Sequence, residues 1–197
     1  MRWLLALLLL APAAWAQEVR PVTGFEVARY LGEWHEVAAI PTSFQRQCVF
    51  DTRAVYGMAS GDDRLTVDNS CRTAEGEVDR SRGLARFKGA ADVAHLEVTF
   101  VTILGRPFWL ASGDYVVIAL DPDYRWAAVA HPSRDFAWIL ARSPDLDTAT
   151  LQGIENVYEA AGYDTCRILT SRQVRNDVRQ PLCTLGDTSQ SDIVGDD

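Results

Sequence analysis

Four cysteines, three histidines and a few carboxylates on strand-like stretches are the residues of this 197-residue chain that could do chemistry. His35, His95 and His131 stand far apart and lack the close His-x-x-x-His spacing of a metal site; they read as satisfied or solvent-facing side chains, and no metal ion or cofactor is expected. Cys48, Cys71, Cys166 and Cys183 read as disulfide partners rather than nucleophiles, since Cys48 has no apparent activating base. Ser112, Ser133 and Ser143 have no nucleophile-elbow context, and no Gly-rich loop stands between a strand and a helix to cradle phosphate. Asp62-Asp63 and Asp196-Asp197 read as solvated charge. What survives is a carboxylate inside a cavity. Glu36 and Glu97 are the first to inspect if the chain is an enzyme acting on a bound lipid or isoprenoid.

The compartment sets the redox chemistry. Arg2, the apolar run 3–11 and Ala14-Trp15-Ala16 make residues 1–16 a secretory signal peptide, too short in its apolar part to span a bilayer. No cysteine stands at the cleavage site, so lipid attachment there is not expected. The exported chain, periplasmic or secreted, would start at Gln17, with one domain over 17–183 and an acidic, disordered tail over 184–197. Losing Arg2 takes the formal charge from −8 to −9, which argues against nucleic acid or anionic lipid as partners. All four cysteines lie in the exported part, and an even count in an oxidising compartment implies two disulfides. Four cysteines allow three pairings.

Short apolar runs with period-2 alternation place strands at about 33–40, 48–56, 64–71, 81–89, 94–101, 115–120, 124–130 and 135–142. Leu151, Ile154, Val157, Tyr158 and Ala161 then recur at helical spacing, with Asp145 and Asp147 suited to the helix start and Gly162 to its end. A short strand follows near 167–171. Eight strands joined mostly by hairpin-length turns, then one C-terminal α-helix, point to an all-β, eight-stranded antiparallel up-and-down β-barrel. A β-sandwich is the rival, although it has no special need of the late helix. Folding the second hairpin about Ala59-Ser60 sets Cys48 opposite Cys71, within disulfide reach at a Cα separation of about 4.5–5.5 Å. That favours Cys48–Cys71 with Cys166–Cys183.

Three motifs in order carry a resemblance: Tyr30-Leu-Gly-Glu-Trp-His-Glu-Val-Ala38, Val117-Ile-Ala-Leu-Asp-Pro-Asp-Tyr124 and Asp135-Phe-Ala-Trp-Ile-Leu-Ala-Arg142. Ile40-Pro-Thr-Ser-Phe44 and Gly162-Tyr-Asp-Thr165 add to it. Over about 25–173 the chain resembles the lipocalins, and within them the bacterial lipocalin and apolipoprotein D group. The resemblance implies a calyx whose closed base is built by Gly32, Trp34, Asp121, Tyr124 and Arg142, with the Arg142 cation across the Trp34 plug. These are structural roles. The chain departs from the pattern at His35, where an aromatic would follow Gly-x-Trp. It also lacks the cysteine that anchors related outer-membrane lipoproteins. By analogy with apolipoprotein D the disulfides would instead be Cys48–Cys183 and Cys71–Cys166.

A ligand would then sit in the open half of the barrel. Inward parity assigns it Phe50, Ala54, Tyr56, Ala85, Phe87, Leu96, Val98, Phe100, Tyr115, Val117, Phe136, Trp138 and Leu140. Small residues on the second and fourth strands leave room, and aromatics elsewhere grip apolar surface. This suits reversible binding, for transport or storage, of a small hydrophobic ligand such as a fatty acid or lysophospholipid. Arg46 or Arg106 would be placed to meet an anionic head. Besides the enzyme alternative, Phe108 and Trp109 on the long loop 102–113 could dock a membrane or partner. The sequence leaves a weak dimer open.

Overall fold

The computed structural model describes residues 18–61, 63–173 and 178–185, so the expected signal segment and most of the expected tail lie outside the described residues. A single helical turn, α1 (Val27–Tyr30), leads into β1 (Gly32–Ala39). The chain then runs through β2 (Phe50–Met58), β3 (Leu65–Arg72), β4 (Val78–Phe87) and β5 (His95–Thr99). A small hairpin of β6 (Thr102–Ile103) and β7 (Arg106–Pro107) interrupts before β8 (Gly113–Leu120), β9 (Trp126–Ala130) and β10 (Ala137–Ala141). The helix α2 (Thr148–Ala160) and the short β11 (Leu169–Thr170) end it. Each main strand pairs antiparallel with its neighbour in sequence, and β10 returns to β1, with His35 against Ala141. That last ladder closes the barrel at eight strands and excludes the sandwich, since a closed sheet has no edges. β11 adds to β1 through Ala38–Thr170 and Ala39–Leu169.

Two apolar layers share the sheet. Inside the closed end, Trp34, Tyr30, Leu65, Val67, Leu96, Val117 and Val129 form a core. Outside, α2 lays Leu151, Ile154 and Tyr158 on the backs of β1, β9 and β10, against Val37, Ile139 and Ile168. Asp147 caps α2 by accepting from the Thr150 amide, and Gly162 follows its end at φ +79. The Tyr158 hydroxyl lies 2.9 Å from the carbonyls of Val129 and Trp138. Cys166–Cys183 ties the short 3₁₀ turns Thr165–Arg167 and Leu182–Thr184 together, with Leu182 buried and Leu185 against the outer core.

The structure corrects several expectations. Cys48–Cys71 forms, with Cα atoms 5.3 Å apart, but not by the register that suggested it. Gly57 pairs with Thr66 and Arg53 with Ser70, so the hairpin centre lies two residues later than Ala59-Ser60. A bulge at Asp51, at φ +62, shifts the ladder again, and Cys48 reaches Cys71 from the segment ahead of β2. The fourth strand starts earlier than expected, because Val78 and Asp79 extend the ladder against Arg72 and Cys71. Phe108 and Trp109, the loop aromatics offered for docking, are less exposed than their neighbours Ile103, Leu104 and Leu110. Both are half-buried, and Trp109 carries the Arg86 guanidinium 4.1 Å from its ring centre. The loop's most exposed apolar residues are Leu104, 98% exposed at the tip of the small hairpin, and Leu110, 90% exposed, with Ile103 beside them at 49%.

Candidate functional site

The closed base is built as its residue types require. Gly32 adopts φ +94, and a Cβ there would come within 3.4 Å of the Arg142 guanidinium. That backbone turn brings Trp34 into the barrel, where it is fully buried and donates from Nε1 to the Tyr30 carbonyl at 2.8 Å. Arg142 closes the base from outside, 3.8 Å from the Trp34 ring centre. It donates to the carbonyls of Glu33, Arg29 and Leu31 at 2.6, 2.8 and 2.9 Å. Asp121 accepts from the amides of Asp123 and Arg125 and from the Arg125 guanidinium, whose hydrogen bond holds its carboxyl below the usual range. Tyr124 turns at φ +59, and its hydroxyl accepts from the Glu26 amide. These contacts hold the five within the base, and none of them lines the cavity above it.

Above the base opens a cavity of about 420 Å³, within the usual range of small-molecule sites. Of the thirteen residues that parity assigned to a ligand, eight line it: Ala54, Tyr56, Val98, Phe100, Tyr115, Phe136, Trp138 and Leu140. Phe136 and Trp138 stack at 6.0 Å with planes 9° apart, and Phe44 continues the row from the first loop at 6.1 Å. Phe100 reaches the wall because β4 has a glycine beneath it; a Cβ on Gly83 would sit 2.8 Å from the ring. Five assignments fail. Ala85, Leu96 and Val117 face inward but too deep, inside the base core, and Phe87 packs beside them, edge-on to Phe25 at 6.2 Å. Period-2 parity gives the side of the sheet, not the height along the barrel axis. Phe50 lies beyond the Asp51 bulge, which breaks its parity with Thr52 and Ala54.

The polar lining was mostly missed. Val67, Asn69 and Cys71 of β3 line the cavity, and the alternation from Leu65 and Val67 onward was the signal for them. Glu36, Gln45, Gln47, Asp79 and His131 also line it. At the floor, the Tyr115 hydroxyl bridges those of Tyr30 and Tyr56 at 2.6 and 2.9 Å. Burial pushes the Tyr56 phenol up to about 12 and the other two well above their ordinary value, so all three stay neutral. Glu36 is 6% exposed. It accepts from the Ser171 hydroxyl at 2.5 Å and from the Gln45 amide at 3.0 Å, and burial raises its carboxyl above the ordinary value. Glu97 faces outward to Arg86 and Ser112 and is not at the cavity. Arg46 and Arg106 are exposed and do not line it, although Arg46 stands between the lining residues Gln45 and Gln47.

Comparison with known proteins agrees with this geometry. A family model described as a lipocalin-like domain matches residues 25–173. The chain is 34% identical over 155 residues to the outer membrane lipoprotein Blc of Escherichia coli K12, covering 79% of this chain and 83% of that one. It is 32% identical over 153 residues to temperature-induced lipocalin-1 of Arabidopsis thaliana, covering 77% and 81%. It is 29% identical over 154 residues to apolipoprotein D of Mus musculus, covering 76% and 77%. Among solved structures, insecticyanin from the tobacco hornworm Manduca sexta superposes with a TM-score of 0.60 at 22% identity, covering 80% and 85%.

Proposed function

The chain belongs to the lipocalin-like family, and from that premise we propose that it reversibly binds a small hydrophobic ligand, an acyl compound of the fatty-acid or lysophospholipid kind, for transport or storage. The observation that carries this is the cavity itself. It has an apolar wall of stacked aromatics, a sealed base and an open rim, and its volume would hold a single chain. Burying each methylene supplies roughly 0.8 kcal/mol. Twelve would give about 10 kcal/mol before association takes back about 4 or more, which leaves affinities of roughly tens of micromolar or weaker. The chain acts outside the cytoplasm in this reading. Both disulfides need an oxidising compartment, residues 1–16 read as a signal peptide, and a relative is named an outer membrane lipoprotein. Catalysis is not part of the reading, because binding needs no titratable group and the cavity's aromatic wall accounts for it.

Trp138→Asp tests the assignment, since it puts a charge on the aromatic wall while the outer core stays intact. The variant is expected to keep its far-ultraviolet circular dichroism and lose uptake of a fluorescent fatty acid. A folded variant that binds as the parent does would refute the pocket.

A further inference from the structure

Two of the three carboxylates on the cavity lining, Glu36 and Asp79, make no ion pair among the described residues. Glu36 is buried on the lining and accepts only from neutral groups, Ser171 and Gln45. Among the described residues no lysine or arginine makes an ion pair with it, and Arg179 acts on it only through space. Asp79 accepts from the neutral Gln47 amide and from the Arg80 backbone. Asn69 Oδ1 is buried without a hydrogen-bond partner. The arginine on the lining, Arg53, spends its guanidinium on Glu33 and Asp51 at 3.3 Å each. The remaining carboxylate, Asp114, is already held by Lys88 and His95.

This set is poorly matched to an anionic ligand. A carboxylate brought beside an ionised Glu36 would meet a like charge in a low-dielectric site, and the arginine on the lining, Arg53, is already paired. An ammonium or hydroxyl would instead give Glu36 a further donor and Asn69 Oδ1 the one it lacks. Charge-assisted hydrogen bonds of this kind are among the strong ones. Burial raises the Glu36 carboxyl in spite of Ser171, Gln45 and Arg179, and a cation arriving with the ligand would favour its ionised form further.

We propose that the cavity selects hydrophobic ligands whose polar end is an ammonium cation or a hydrogen-bond donor, that it disfavours free carboxylates, and that Glu36 is the residue that reads this end. The proposal rests on the cavity being a ligand site. It sets aside the free fatty acid of that reading and keeps acyl compounds whose head donates, such as a lysophospholipid with an ammonium group.

The test displaces the neutral fluorophore N-phenyl-1-naphthylamine from the full chain with three twelve-carbon probes, dodecylamine, dodecanol and dodecanoate. All are held below micellar concentrations at about pH 8, where the amine is cationic. Dodecylamine is expected to bind at least tenfold tighter than dodecanoate, with dodecanol between. In Glu36→Gln the amine and carboxylate affinities should come within about threefold of each other while dodecanol is unchanged. If dodecanoate binds as well as the amine to the parent chain, the proposal fails and the container reading stands. If the amine preference persists undiminished in Glu36→Gln, it comes from the overall negative charge and the proposal also fails. If neither the fluorophore nor any of the three probes binds, the container reading itself fails. The comparison of probes on the parent chain decides the matter even if the variant does not fold.

Discussion

Removing the Arg142 side chain should cost the fold several kcal/mol although the residue lies outside both cores. The guanidinium does two things at once. It covers the Trp34 ring at 3.8 Å and it holds three carbonyls, those of Glu33, Arg29 and Leu31. The stacking is worth roughly 0.5–2 kcal/mol. A hydrogen bond to a charged donor is worth about 1.5–3 kcal/mol where the partner would otherwise stay dry. Two of the three carbonyl contacts are exposed, so water replaces the guanidinium there and they count for little. The sum for Arg142→Met is about 2–5 kcal/mol, or roughly 4–20 °C in melting temperature for a domain of this size. Arg142→Lys keeps the charge, yet a point-like ammonium cannot both lie flat on the indole and fork to three acceptors, so it should recover less than half. Urea unfolding followed by tryptophan fluorescence measures both variants. A loss under about 0.5 kcal/mol for Arg142→Met, or full recovery by lysine, would refute the account of the base.

Glu36 makes the stability of the chain depend on pH. Burial raises its carboxyl above the ordinary 4.5, so the folded chain holds that proton more tightly than the unfolded one. The contribution is complete below about pH 4 and is lost as pH rises through the raised value. Glu36→Gln does not titrate, so its stability relative to the parent should climb from pH 4 to pH 8 in urea midpoints, even though the Gln45 amide must turn to keep a contact; a constant difference would sink this. Gly83→Ala should cost about 1–3 kcal/mol, since its Cβ would sit 2.8 Å from both the Thr99 carbonyl and the Phe100 ring. An unchanged melting temperature would show that β4 yields there. Leu104 stands at φ +51 before Gly105 at φ +75, in a two-residue turn that favours asparagine at the first position. Leu104→Asn should therefore stabilise the chain by up to about 1 kcal/mol, and a loss in calorimetry would mean that the leucine has a partner.

The base of the barrel was readable because each of its residues answers a local demand. A glycine allows φ +94 at position 32, an aspartate caps the turn at 121, and a planar cation covers an indole. The strand count and the helix followed from periods of two and about 3.6, which survive without knowledge of contacts. The cavity was less legible because its lining depends on quantities that no period encodes. Depth along the axis separates Leu96 from Val98, which share a face. One bulge at Asp51 removes Phe50 from the wall that Thr52 and Ala54 keep. Glu36 was noticed only as a titratable group, because its partner Ser171 is 135 residues away in sequence and comes into place only when β11 adds to β1.

The two cores also explain why the cavity can exist at all. An empty apolar space costs stability in proportion to its size when the surrounding packing must hold it open. Here the fold is carried below by the Trp34 core and outside by α2 on β1, β9 and β10. The rim residues Phe44, Phe100 and Phe136 belong to neither core. Closure of the sheet through β10 and β1 and the Cys48–Cys71 bridge hold the upper barrel open without side chains filling it. Substitutions on the rim should therefore move affinity with little change in stability, and substitutions at the base should do the reverse. That separation is what a container needs if its ligand is to enter and leave without unfolding it.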